Sequence, residues 1–138
     1  MSFSDYLEVE LLDQIVGKTD YTMPTAYIAL CTADPTDAGT GADCNEVANA
    51  NNYARVATDG DDWNAAASGS ISNAEDITFP QASGSWGTVT HFAIIDSTTY
   101  GEGNLLASGA LDSSKAIGNG DTPKFAGGTP GALVITLD

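Results

Sequence analysis

Basic residues are what this sequence has least of. Lys18, Arg55, Lys115 and Lys124 stand alone against 19 Asp and Glu, giving a formal net charge of −15. Nucleic-acid binding needs Lys and Arg gathered into a patch, and these four are scattered, which argues against nucleic acid as a partner. Anionic membrane surfaces are disfavoured for the same reason. There is one histidine, His91, so a hydrolytic triad or a zinc site would have to be built almost without imidazole. The two cysteines differ in setting, Cys31 in an apolar run and Cys44 in a polar one. The reading taken is two free thiols with Cys31 in the core, and a disulfide is left open. No run reaches the ~18 apolar residues of a membrane span. The opening MSFSDYLEVELLD is acidic and amphipathic, unlike a signal peptide.

What is abundant is turn chemistry. Fifteen glycines and many Thr, Ser, Asn and Asp accompany a 42% hydrophobic content over 138 residues. That composition fits one turn-rich β domain with enough core to fold unaided. One amphipathic helix is predicted over residues 4–16, capped by Ser4 or Asp5 and stopped at Gly17. Phe3, Leu7, Leu11 and Ile15 recur at i+4 along it, and Leu12 and Val16 widen the stripe. These four are the candidate interface residues, since the stripe must dock on its own sheet or on a neighbouring molecule.

After the helix, residues 25–32, 53–58, 68–72, 77–79, 104–111, a short piece at 116–117, 122–125 and 132–137 read as strands. The longest β-prone run lies in ITFPQASGSWGTVTHFAIID, Ile77–Asp96. Alternation puts Thr90, Phe92 and Ile94 on one face and Val89, His91, Ala93 and Ile95 on the other. Both faces are largely apolar, so this strand is expected to be central and covered on each side. NGD at 119–121 is a hairpin-type signal. The polar segment 33–52 is long enough to be functional, flexible or part of an interface. The fold class expected is mainly β, an antiparallel β-sandwich or jelly-roll-like barrel with one N-terminal amphipathic helix. The chain divides into a helical arm (1–18) and a β domain (19–138) of a single unit.

Chemistry finds little purchase. SGSWG at 83–87 echoes a nucleophile elbow without a following helix, and His91 sits inside a strand, so no catalytic residue is assigned. The glycines of GTGAD and GGTPG lack the Lys-Ser/Thr or Rossmann context of a phosphate loop. Asp34, Asp37 and Asp43, and the Asp59–Asp62 cluster, offer oxygen ligands for Ca²⁺, but in no EF-hand spacing, and Asp favours turns on local grounds. Neither metal nor cofactor is assigned.

Taken together, SDYLE, ALCTADPTD, YARVA, FPQASGSWGTVTHFAI, GNLLASGAL and the closing LVITLD resemble, in order and over nearly the whole chain, small structural proteins of tailed bacteriophages, often described as phage tail fibre proteins. The segment around Cys44 to Asn52 and GGTPGA depart from the pattern. The resemblance implies a virion protein without enzyme activity, made in the host cytoplasm and located on the capsid surface or the tail. Its partners would be copies of itself, as dimer or trimer, and the major capsid protein or tail proteins. Fibre shafts gain length through repeats or coiled coils, and neither occurs here. The main expectation is therefore a head decoration (cement) protein that binds the outer capsid and stabilises capsomer junctions. The alternative is a tail-fibre or tail-tip module contacting the host, with carbohydrate as a candidate ligand stacking on Tyr53, Trp63, Trp86 and Tyr100.

Overall fold

The computed structural model describes residues 2–137. Its main element is a five-stranded antiparallel sheet in the order β1-β7-β6-β2-β3. The strands are β1 (Ser2–Phe3), β2 (Ala26–Cys31), β3 (Val56–Thr58), β6 (Gly87–Ile95) and β7 (Leu105–Ile117). Two small antiparallel pairs complete the fold. β4 (Ser70–Ser72) joins β9 (Val134–Thr136), and β5 (Ile77–Thr78) joins β8 (Lys124–Phe125). With α1 (Asp5–Ile15), the one α-helix among the described residues, this is the mainly β, antiparallel sandwich expected.

β6 occupies the middle of the sheet, and both its faces are covered. Phe92 and Ile94 enter a large core with Leu7, Ile28, Leu30, Ile77, Phe79, Leu106 and Leu133. Ala93 and Ile95 enter a smaller one with Ala29, Cys31, Cys44 and Leu105. Simple alternation fails at Val89. His91 pairs with Ala110 but Val89 with Lys115, so two steps along β6 span five along β7. Such a bulge resets which side of the strand a residue faces. Val89 is carried to the Phe92 side, not the His91 side that alternation assigns. The same bulge explains why 104–111 and 116–117 read as separate pieces: they are one strand in two registers.

Ser4 caps α1 by accepting from the Leu7 N–H at 3.2 Å, and its hydroxyl also donates to the Leu105 carbonyl. One side chain thus starts the helix and ties it to β7. β1, too short to show any alternation, pairs Phe3 with Ala107. Gly17 ends the helix at φ 71°.

Three expectations are corrected. Tyr53, Ala54 and Arg55 lie outside β3: the Tyr53 N–H bonds to the Ala50 carbonyl, and the Tyr53 and Arg55 side chains are engaged with Glu46. NGD forms a turn, with the Asp121 N–H bonded to the Gly118 carbonyl, but joins no hairpin: β8 pairs with β5, not with β7. Segment 33–52 is built into the sheet. Thr32 N–H donates to Asn45 O and Val47 N–H to Leu30 O, so residues 45–47 run alongside β2. Thr36, Asn45, Asn51 and Asn52 take left-handed conformations there, which Asn tolerates better than most residues.

Candidate functional site

Three features could carry function: a buried polar knot, a cleft and a helix ridge. The knot is centred on Arg55, which donates Nε to Glu46 Oε1 at 2.9 Å and Nη2 to Glu46 Oε2 at 2.8 Å. Its remaining N–H groups reach the carbonyls of Ser97, Glu102 and Gly41 at 2.8, 2.9 and 3.0 Å. Both side chains are almost wholly buried, 1% and 4% exposed. Tyr53 donates its hydroxyl to Glu46 at 2.7 Å and accepts the Leu30 N–H at 3.1 Å. Burial and the nearby Glu46 charge push the Tyr53 hydroxyl's pKa well up, so it stays a donor. Burial alone would lower the Arg55 pKa; the carboxylate more than reverses it. Gly41 is required where it lies, because a Cβ there would collide with the Glu102 carbonyl. Every donor is directed at the chain's own groups, so the knot is a structural staple for segment 33–52.

The cleft has a volume of about 680 Å³ and opens between the second half of β7 and the β8–β9 segment. Leu30, Phe79, Val89, Phe92 and Leu133 form its floor, and Asp112, Lys115, Asp121 and Lys124 stand on its rim. Two of the chain's four basic residues therefore border one cleft. Lys124 is engaged with Asp76 at 2.5 Å.

The ridge lies on α1, and it divides the stripe read from the sequence. Leu7 is committed to the chain's own core at 3% exposure, and Phe3 and Leu11 pack partly against that core. Ile15 is 78% exposed, and Val9, Leu12 and Val16 beside it are 59%, 64% and 75% exposed. The helix thus has two apolar arcs, one facing the sheet and one facing outward. The i+4 series runs across both: Phe3, Leu7 and Leu11 face the sheet, while Ile15, with Leu12 and Val16 that widen the stripe, falls on the outward arc beside Val9.

His91 is half-buried and shares a 2.8 Å hydrogen bond between Nδ1 and the Thr90 hydroxyl. It pairs in the sheet with Cys31 and Ala110. Of the four aromatics considered for stacking, Trp86 and Tyr53 are buried against each other edge-on at 5.2 Å. Trp86 also donates its indole N–H to Asn51 O at 2.9 Å, anchoring the corner before β6. Trp63 is half-buried and only Tyr100 is exposed, so the four form no shared platform. The Asp59–Asp62 carboxylates cap their own 3-10 turn: Asp59 accepts from Asp61 N–H and Asp62 from Asp59 N–H. Among the described residues, no group of three or more His, Cys, Asp or Glu gathers as metal ligands. None of their helices is long and apolar enough to cross a membrane.

The family described as Podophage GP4 fiber I protein gp80 matches residues 2–132. This chain belongs to that family. The match takes in α1, the whole five-stranded sheet, the small core and all the buried residues of the large core but Leu133, and it makes this a phage virion structural protein of the fibre type. No curated protein matches the chain.

Proposed function

We propose that this chain is a component of a phage tail fibre, or a module carried at the fibre or tail tip, that joins neighbouring virion proteins through the outward ridge of α1. The family match over residues 2–132 carries the fibre assignment and favours it over head decoration. The ridge supplies the contact: four large aliphatic side chains left on one exposed helical arc are costly in water and gain by burial against a partner. The partner is a second copy of the chain or an adjoining fibre or tail protein. Host contact through a sugar draws less support, because Tyr53 and Trp86 are used inside the fold.

Quantifying and imaging the protein in purified particles tests the location. A few copies confined to the tail are expected. Copies over the whole head surface would overturn the fibre reading in favour of capsid decoration, which a compact sandwich would also suit. Sedimentation of the triple variant Val9→Ser, Leu12→Asn, Val16→Ser tests the ridge. It should fold normally and lose self-association or incorporation into particles; unchanged assembly would remove the ridge from the interface.

A further inference from the structure

Cys31 and Cys44 lie thirteen positions apart in sequence, yet both belong to the same small core and are 0% and 1% exposed. The strand pairing puts them close. Cys31 bridges to Glu46 across the β2 edge, so Cys44 sits two residues from that partner on the same side. In a regular ladder such a diagonal pair is about 7 Å apart, too far for a bond between sulfurs. Asn45, at φ 55°, breaks the regular ladder between them, and Cys44 is buried in the same core as Cys31. The two thiols are near enough to shift each other's pKa, Cys31's upward and Cys44's downward. Neither is bonded to the other as a disulfide in this structure.

We propose that Cys31 and Cys44 are an oxidation site at which a disulfide forms and locks segment 33–52 onto β2. The oxidant is a low-molecular-weight disulfide. Cys44, as thiolate, attacks one of its sulfurs and releases one small thiol. Cys31 then loses its proton and attacks Cys44 Sγ, releasing the second. Two protein thiols are oxidised, and one disulfide is reduced to two thiols. The neighbouring Cys31 thiol lowers the pKa of Cys44 while its own is raised, which suits Cys44 as the first to attack. Asp43 and Asn45 on either side of Cys44 are exposed, so a small outward movement of the segment admits the oxidant. The biological occasion rests on the virion reading. A chain folded in a reducing cytoplasm enters an oxidising medium when particles are released. The chemistry itself does not depend on that reading.

The test uses the purified full chain in glutathione buffers of graded oxidised-to-reduced ratio, followed by acid quench, denaturation and alkylation. Samples started reduced and samples refolded in the same buffer must converge. The expected result is joint loss of both alkylatable thiols, a monomeric product lighter by two hydrogen atoms, and reversal by dithiothreitol. Closing a short loop should also raise Tm by roughly 5–10 °C. Cys44→Ser should abolish the redox dependence of Tm while keeping the fold. Thiols that remain free in the oxidised buffer, oxidise only as glutathione adducts, or pair with a fall in Tm would overturn the proposal. Each of these results is independent of where the protein sits on the particle.

Discussion

On one side of the five-stranded sheet the buried residues are mostly small, Ala29, Cys31 and Ala93, with Ile95 and Leu105 the larger exceptions. On the other they are large: Ile28, Leu30, Phe92, Ile94 and Leu106. The covers differ accordingly. A floor of small side chains lets the backbone of segment 33–52 approach closely. That buries carbonyls and charges, which Arg55, Glu46 and Tyr53 then satisfy by hydrogen bonds of fixed direction. The large side chains are covered by Leu7 of α1, by Phe125 of β8 and by Phe79 and Leu133 beside β5 and β9, contacts with little directional demand. The polar side is therefore the less tolerant of losing one group, and the apolar side the better able to adjust.

The largest effect should come from removing one half of the knot. Arg55→Ala leaves the Glu46 carboxylate buried without a counter-charge and three carbonyls short of a donor, a loss of about 3–5 kcal/mol by urea unfolding. The double variant Glu46→Leu, Arg55→Met should lose less than Arg55→Ala, because no charge is then stranded. It should still fall short of the native chain, since the carbonyls of Gly41, Ser97 and Glu102 stay unmet. A double variant as unstable as the single would show that the bonds to carbonyls, not the charge, dominate.

On the apolar face, Phe92→Ala should cost about 3 kcal/mol, the lower end for a buried Phe, because Phe92 already borders the cleft on one side. A loss for Phe92→Ala larger than that for Arg55→Ala would erase the distinction between the two covers.

How legible this was in the sequence depends on which cover is considered. The apolar face announces itself: Phe92 and Ile94 alternate, Ile28 and Leu30 alternate, and Ser4 and Gly17 bracket the helix. The central place of β6 follows from those patterns. The polar cover could not be read, because Glu46 and Arg55 are nine residues apart in a segment whose composition suggests solvent. Only the folded path of 33–52 brings them together. A lone Arg in an acidic chain, beside Val56 and two positions after Tyr53, was the available signal. Val89 illustrates the other limit. Alternation assumes a regular ladder, and the β7 bulge sits opposite a stretch of β6 with no Gly or Pro to betray it.

A smaller effect separates the two arcs of α1. Leu7→Ala should destabilise by about 2 kcal/mol or more, as a core truncation does, while Leu12→Asn should change stability by about 0.5 kcal/mol or less. Sedimentation then reads Leu12→Asn alone, in a chain that is still folded. Comparable loss of stability in both variants would mean that the outward arc is packed within the chain's own fold.

The smallest effect concerns an ion pair that is the exposed counterpart of the knot. Asp76 and Lys124 meet at 2.5 Å across β5 and β8, each about half exposed. The hydrogen bond from Lys124, and then the Gly127 N–H, hold the Asp76 carboxyl below its ordinary value of 3.8. A lowered folded pKa means the folded state favours the carboxylate. Its contribution is present above pH 3.8 and disappears as pH falls through the lower folded value. Asp76→Asn should therefore sit slightly below the native chain near neutral pH and converge with it in acid. Salt should shrink the neutral-pH gap, because an exposed pair is screened. Thermal melts from pH 7 to pH 2 at two ionic strengths measure this. A gap that widens in acid would reverse the sign and show that Asp76 is stabilised as the neutral acid instead.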